Sequence, residues 1–404
     1  MIKKYSLFFI CIELLFFLGC SPSWTEAIKK GKIGKQEFYE KVIIQVENGF
    51  IFVPVVIHGK TYKFLFDSGA LFSISKKLQK NLNFKAITTG NIVDSDNNKT
   101  SVNYVKVDTT HIGAIPFINQ TAFVADFEAN PILKCLEIDG IIGSNLMRFC
   151  NWEIDYQNKQ IALIDLVNPT INLKSETVPF KTDNQYNILV DLKIREATVK
   201  NMKIDYGSNQ IMSFPKNIFN TLKEKEEIKE TYIETGEKRS GIVGKAIELK
   251  REIALLDSLK FQNLKLNNVK VQTGSSGLIG KDILSRLVVT INWKNLTLLM
   301  QPADSVKIDN KSFGLTLGYS DDNKLVHIQS VIKNSTAYNK GVKPGMQVLK
   351  LDSLNFVETH TFCDYVDYIN KQTNNVTLKL LDESGNIKEF YFKKEFLGKN
   401  RILD

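Results

Sequence analysis

The sequence predicts a mainly β protein, with two tandem β lobes followed by a small α+β unit. Three observations carry that reading. From about Phe50 to Gln301, short runs of Val, Ile, Phe and Thr are broken by Gly, Asn and Asp, as in FIFVPVVIHGKTYKFLFD. The region repeats itself at a fixed spacing. After QPADSV the texture changes to a shorter mixture of strand-like and helix-like segments.

The chain begins differently. MIKKYSLFFICIELLFFLGC has two lysines, then an apolar run, then Gly19-Cys20. That is the shape of a secretory signal, and the apolar run is shorter than a typical membrane span. With SPSW following, it resembles the lipobox of bacterial lipoproteins. The resemblance implies a signal over 1–20, lipidation of Cys20 and a place in the bacterial envelope, facing the periplasm or the outside. Phe17 and Leu18 are bulkier than that motif usually carries and Glu13 interrupts the run, so simple secretion and an uncleaved anchor stay open. Residues 21–48, polar and lysine-rich, read as a tether.

The first lobe is expected over 49–166. IHGKTY reads as a tight hairpin at Gly59 whose second strand ends on Asp67-Ser68-Gly69. The second lobe, 167–303, repeats the pattern in ILVDLKIREATVKNMKIDYGSNQIMSFP, which delivers Asp205-Tyr206-Gly207. Eight residues after each aspartate stands a serine, Ser75 or Ser213, placed to cap a short helix, with Pro215 near the first turn of the second. DGIIGSNLM matches SGLIGKDIL further on. Asp67 to Gly143 is 76 residues and Asp205 to Gly280 is 75. Two features recurring at nearly equal separation mark an internal duplication.

Each aspartate closes an apolar strand, FLF or MKI. Alone, either is an ordinary turn residue. Related by a pseudo-dyad, the two would meet, and two carboxyls in contact hold one proton between them. One could then take a proton from water while the other hydrogen-bonds an amide carbonyl.

On these residues the chain resembles retropepsin-like aspartic proteases, with two lobes fused in one polypeptide. Asp67-Ser68-Gly69 matches the family's Asp-Thr/Ser-Gly triplet, and IIG (141–143) and LIG (278–280) match its apolar-apolar-Gly motif. The resemblance implies catalysis by Asp67 and Asp205 on a peptide or protein substrate, supported by Ser68, Gly69, Gly207, Ser208, Gly143 and Gly280, with no cofactor. Tyr206 departs from the pattern, since the family places a small hydroxyl beside each aspartate. A catalytically inert, peptide-binding lobe pair is therefore the competing expectation. Substrate-covering hairpins are expected at 92–102 and 233–243.

The third unit, 304–398, resembles a PDZ domain. Ser312-Phe313-Gly314-Leu315 matches the loop that receives a peptide carboxylate, implying peptide binding at Phe313, Gly314 and Leu315. NKGVKPGM matches the family's Gly-leading turn, with Met346 where an aspartate is usual.

Other chemistries find little support. The net charge of +9 is spread through mixed-sign stretches such as KEKEEIKE, with no nucleic-acid motif. His58, His111, His327 and His360 lack metal-ligand spacing and read as surface or turn residues. GIVGK and GLIGK lack the phosphate-loop spacing. Cys135, Cys150 and Cys363 are an odd set. Cys135 and Cys150 flank the first IIG and could pair in an oxidising envelope, although two small buried residues is the preferred reading.

Overall fold

The structure, a computed structural model, describes residues 22–166, 175–195, 197–303, 311–320, 324–369 and 374–396. Cys20 and the expected signal lie outside them. Among the described residues no helix is long and apolar enough to cross a membrane.

The predominance of strands follows from the sequence. Phe50–Ile57 and Lys60–Phe66 are rich in β-branched and aromatic residues and pair through the predicted tight turn. At that turn His58 (φ 49°) and Gly59 (φ 75°) both take the left-handed region that a two-residue hairpin needs. After the Asp67 loop come Ser73–Ser75 and the helix Lys76–Leu82, where Ser75 Oγ accepts the Leu78 N–H at 3.0 Å. Gly140–Ile142 then threads between two earlier strands, parallel to Lys60–Phe66 and antiparallel to Ser73–Ser75.

The second lobe repeats this path. Ala197–Asp205 ends on the second aspartate, Met212–Pro215 follows, and Leu278–Gly280 threads between them in the same two senses. The helix Lys216–Glu224 starts where expected, but its N-cap is Pro215, without a side-chain bond. Ser213 does not cap it. It lies inside the strand, and its hydroxyl donates to the Ser276 carbonyl at 2.9 Å.

The lobes are joined by one continuous sheet. Its strands run Tyr39–Ile43, Gln160–Ile164, Asn151–Asp155, Leu287–Asn292, Thr297–Pro302 and Glu176–Thr182. The seam is the central pair, with Trp152 opposite Ile291 and Ile154 opposite Val289. Trp152 is fully buried and packs on Phe66, the residue before Asp67, at 5.6 Å between ring centroids. The core under the seam therefore fixes where the aspartate-bearing strand ends.

Two expectations are corrected here. Residues 22–48 are not a free tether, because Tyr39–Ile43 pairs along its whole length with Gln160–Ile164 and Ala27, Ile28, Phe38 and Ile44 are buried. Tyr39, Lys41 and Ile43 are exposed while Val42 between them is buried, and composition alone reads this polar, lysine-rich stretch as linker. The cysteine pairing is also different. Cys135 is bonded to Cys363, and Cys150 is a free, buried thiol.

The C-terminal unit has its own core of Leu317, Ile328, Val342, Val348, Leu378 and Phe392. Leu315–Ser320 pairs with Leu325–Ile332, and Gln347–Leu351 with Asn375–Leu381, while the helix Phe362–Ile369 covers them. The unit is tied to both lobes. The Cys135–Cys363 bridge joins its helix to Pro131–Leu136 of the first lobe. Leu325–Ile332 also pairs with Tyr232–Lys238 of the second, Thr235 standing opposite Val331.

Candidate active site

The duplicated strands bring Asp67 and Asp205 together at the seam. Asp205 is buried and Asp67 half-buried, and their carboxyl groups are within hydrogen-bonding reach of each other. Each lies over the other lobe's glycine. A Cβ on Gly69 would stand 2.4 Å from Asp205 Cγ, and one on Gly207 2.2 Å from Asp67 Cγ. Any side chain at either glycine would push the carboxyls apart, so here glycine is required for close approach.

The loops hold the carboxyls in mirrored ways. Gly69 N–H donates to Asp67 Oδ1 at 2.8 Å, and Gly207 N–H to Asp205 Oδ1 at 3.1 Å. Gly143 and Gly280 sit behind these loops. Ser144, the residue after Gly143, donates its N–H to Ala70 O at 2.8 Å, and Lys281, after Gly280, to Ser208 O at 3.3 Å. Burial first, and then the Asp205 charge, push the Asp67 carboxyl well above the usual carboxylate range. The Gly69 N–H and the Lys203 ammonium pull the other way.

The symmetry fails at one place. Ser68 Oγ donates to the Ile204 carbonyl at 2.8 Å and takes the Tyr206 N–H at 3.3 Å, crossing from the first lobe to the second. Tyr206 does not return the bond. Its ring is fully buried, edge-on to Phe66 and stacked on Tyr156 at 6.1 Å, and its hydroxyl has no partner.

Both expected hairpins form, and their tips lock together. Asp96 accepts the Ser240 N–H at 2.6 Å, the Ser240 hydroxyl at 2.8 Å and the Gly241 N–H at 2.8 Å, and pairs with Lys238 Nζ at 2.7 Å. Asp94 takes the Val243 N–H, and Asn130, at the start of Pro131–Leu136, donates to Gly241 O at 3.0 Å. Neither acidic residue stood out in the sequence, since DSDNN reads as an ordinary turn. A cavity of about 800 Å³ opens beside the first hairpin, lined by Lys80, Phe84, Ile92, Val102 and Val124, with Ile242 entering from the other lobe. It touches neither aspartate.

In the C-terminal unit Gly314 has φ 75° and its carbonyl takes the Ile332 N–H at 2.8 Å. Phe313 is half-buried, and Leu315 opens the strand paired with Leu325–Ile332. Between the strand Leu315–Ser320 and the helix Phe362–Ile369, the molecule's own rings fill the space. Tyr319 stacks on Phe362 at 5.7 Å, and Phe362 tilts against Tyr365 at 5.6 Å. His327 is not a free surface residue, because its Nε2 meets Glu237 Oε1 at 2.7 Å. Among the described residues no cluster of three metal-ligating side chains occurs.

Comparison with known proteins agrees with the first lobe. Residues 53–146 match the family model described as aspartyl protease. That region spans Asp67, Ser68, Gly69 and Gly143. The chain is mainly β, and its two lobes are consistent with an acid-protease β fold. Among solved structures, basic 7S globulin from soybean aligns at 10% identity and a TM-score of 0.40, over 65% of this chain and 94% of that one. No curated protein matches the chain.

Proposed function

We propose that the protein is an aspartic endopeptidase in which Asp67 and Asp205 hold one proton jointly and activate a water between them. The facing of the two carboxyls across the seam carries this reading. At a pH where the pair bears a single negative charge, the ionised carboxyl takes a proton from water as the water's oxygen attacks the peptide carbonyl carbon. The protonated carboxyl hydrogen-bonds the carbonyl oxygen as negative charge develops there. Collapse of the tetrahedral species breaks the C–N bond, and a proton passes from the pair to the leaving nitrogen. An extended peptide would enter between the lobes, which requires the Asp96 contacts to part. Its side chains would extend toward the cavity flanked by Ile92 and Ile242.

The test is cleavage of a mixed peptide library by the purified protein and by Asp67→Asn and Asp205→Asn. Cleavage by the parent and its loss in both variants supports the reading. Cutting at parental rates in both removes the pair from catalysis.

One observation favours the second reading, a peptide-binding protein without activity. Tyr206 gives the second lobe no hydroxyl with which to answer Ser68. Peptides held but never cut, from acid to neutral pH, would establish that alternative. We read the C-terminal unit as a PDZ domain whose groove is closed by Tyr319, Phe362 and Tyr365 until a peptide end displaces them. The membrane anchor belongs to the same proposal, with Cys20 lipidated in a bacterial envelope. Incorporation of a labelled fatty acid by the parent and not by Cys20→Ser tests it.

A further inference from the structure

The missing half of the cross-seam clasp directs attention to Lys203, two residues before Asp205 and therefore on the same side of its strand. Its Nζ is 3.5 Å from Asp205 Oδ2 and 3.4 Å from the Gly69 carbonyl of the other lobe. Its side chain is about a quarter exposed. The corresponding position in the first lobe is Leu65, fully apolar, so the ammonium is present on one side only. The charged groups facing it are Asp205 on its own strand and Asp67 across the seam. The neighbours in register on the adjoining strands, Leu189 and Leu278, carry no charge.

We propose that Lys203 is a positioning residue of the aspartate pair: bridging Asp205 and Gly69, it supplies the second-lobe-to-first-lobe tie that Tyr206 does not, and its charge favours ionisation of the pair at lower pH. A serine or threonine at 206, mirroring Ser68, would tie the lobes with a neutral hydroxyl. A lysine makes it with a positive charge, and that has an electrostatic consequence. A fixed cation beside the pair favours every ionised form of it, so both of its ionisations move toward lower pH. The working range of the site then extends further into acid than the same pair would reach alone.

The inference rests on the proposed function for its meaning but not for its test. The test is a ¹³C carboxyl NMR titration of the full-length protein, with Asp67 and Asp205 assigned through their Asn variants, in the parent, Lys203→Met and Lys203→Arg. Thermal unfolding checks that each variant is folded. Lys203→Met should move the lower ionisation of the pair up by about one pH unit, and Lys203→Arg should leave it near the parental value. Where peptide cleavage is measurable, its acid limb should move by the same amount. A Lys203→Met titration matching the parent overturns the inference. Two ordinary, independent carboxylates in the parent would instead overturn the shared-proton reading itself, so the two failures are distinguishable.

Discussion

Ser68 Oγ donates to the Ile204 carbonyl 2.8 Å away, and this bond joins the two lobes immediately beside the aspartates. It spans 136 residues of sequence and is buried. Because the same oxygen also takes the Tyr206 N–H, Ser68→Ala leaves a buried donor and a buried acceptor without partners. The expected cost is about 1–3 kcal/mol of stability, read by denaturant unfolding. Peptide cleavage should fall more steeply than stability, because the loop carrying Asp67 loses its registration against Asp205. Unchanged unfolding and cleavage would show that the bond is incidental.

Tyr206→Phe should be neutral or stabilising, since it removes a buried hydroxyl that has no partner while keeping the ring against Phe66 and Tyr156. Tyr206→Thr restores the small hydroxyl but empties a packed site, at a cost of roughly 3–5 kcal/mol. Thermal unfolding of the two variants distinguishes these effects. A strongly destabilised Tyr206→Phe would mean that the hydroxyl is bonded.

The raised Asp67 carboxyl makes a prediction about stability and pH. The native protein keeps a proton there through a range where the unfolded chain has released it, so stability declines as pH rises from the unfolded value toward the folded one. Asp67→Asn removes that decline. The variant should be more stable than the parent at neutral pH, and the gap should close toward pH 4. Unfolding curves across pH measure it, and a variant less stable than the parent at pH 7 would contradict it.

At the hairpin tips the sign is opposite. Burial by itself would raise Asp96, but Lys238, the Gly241 N–H and the Ser240 hydroxyl outweigh it and hold the carboxyl below its ordinary value. Its contribution is present above the unfolded value and lost as acid protonates it in the folded protein. Asp96→Ala should speed amide hydrogen exchange of Ser240 and Gly241 by roughly 10–100-fold, with little effect on the Trp152 seam. Equal exchange in parent and variant would show that the tips are held by other contacts.

Cys135→Ser with Cys363→Ser should cost about 2–5 kcal/mol, because the bridge closes a long loop between the first lobe and the C-terminal helix. Chemical unfolding with and without reductant measures it. A parent insensitive to reductant would contradict the pairing.

The aspartate pair was legible because a duplication leaves two matching signals, and Asp67, Gly69, Asp205 and Gly207 follow from it by position. Alternating apolar residues, turn glycines and the hairpin at Gly59 gave the strands. Other features could not be read that way. Tyr39–Ile43 is only five residues, and its partner strand is more than a hundred residues away. The Cys135–Cys363 bridge depends on how a third unit docks, which no local pattern encodes. Asp96 and Lys203 look like solvated charges until the fold brings Ser240 and Gly69 to them. Ser213 resembles a helix cap in sequence, but Pro215 sets the helix start and leaves the serine in the strand.

The most direct test is a crystal structure of the full-length protein at a resolution where carboxyl C–O bond lengths can be read. The account predicts one oxygen of Asp67 and one of Asp205 about 2.5–3.0 Å apart, with unequal C–O bonds in one carboxyl marking the shared proton. Carboxyls separated well beyond hydrogen-bond range, or two fully ionised groups, would contradict it.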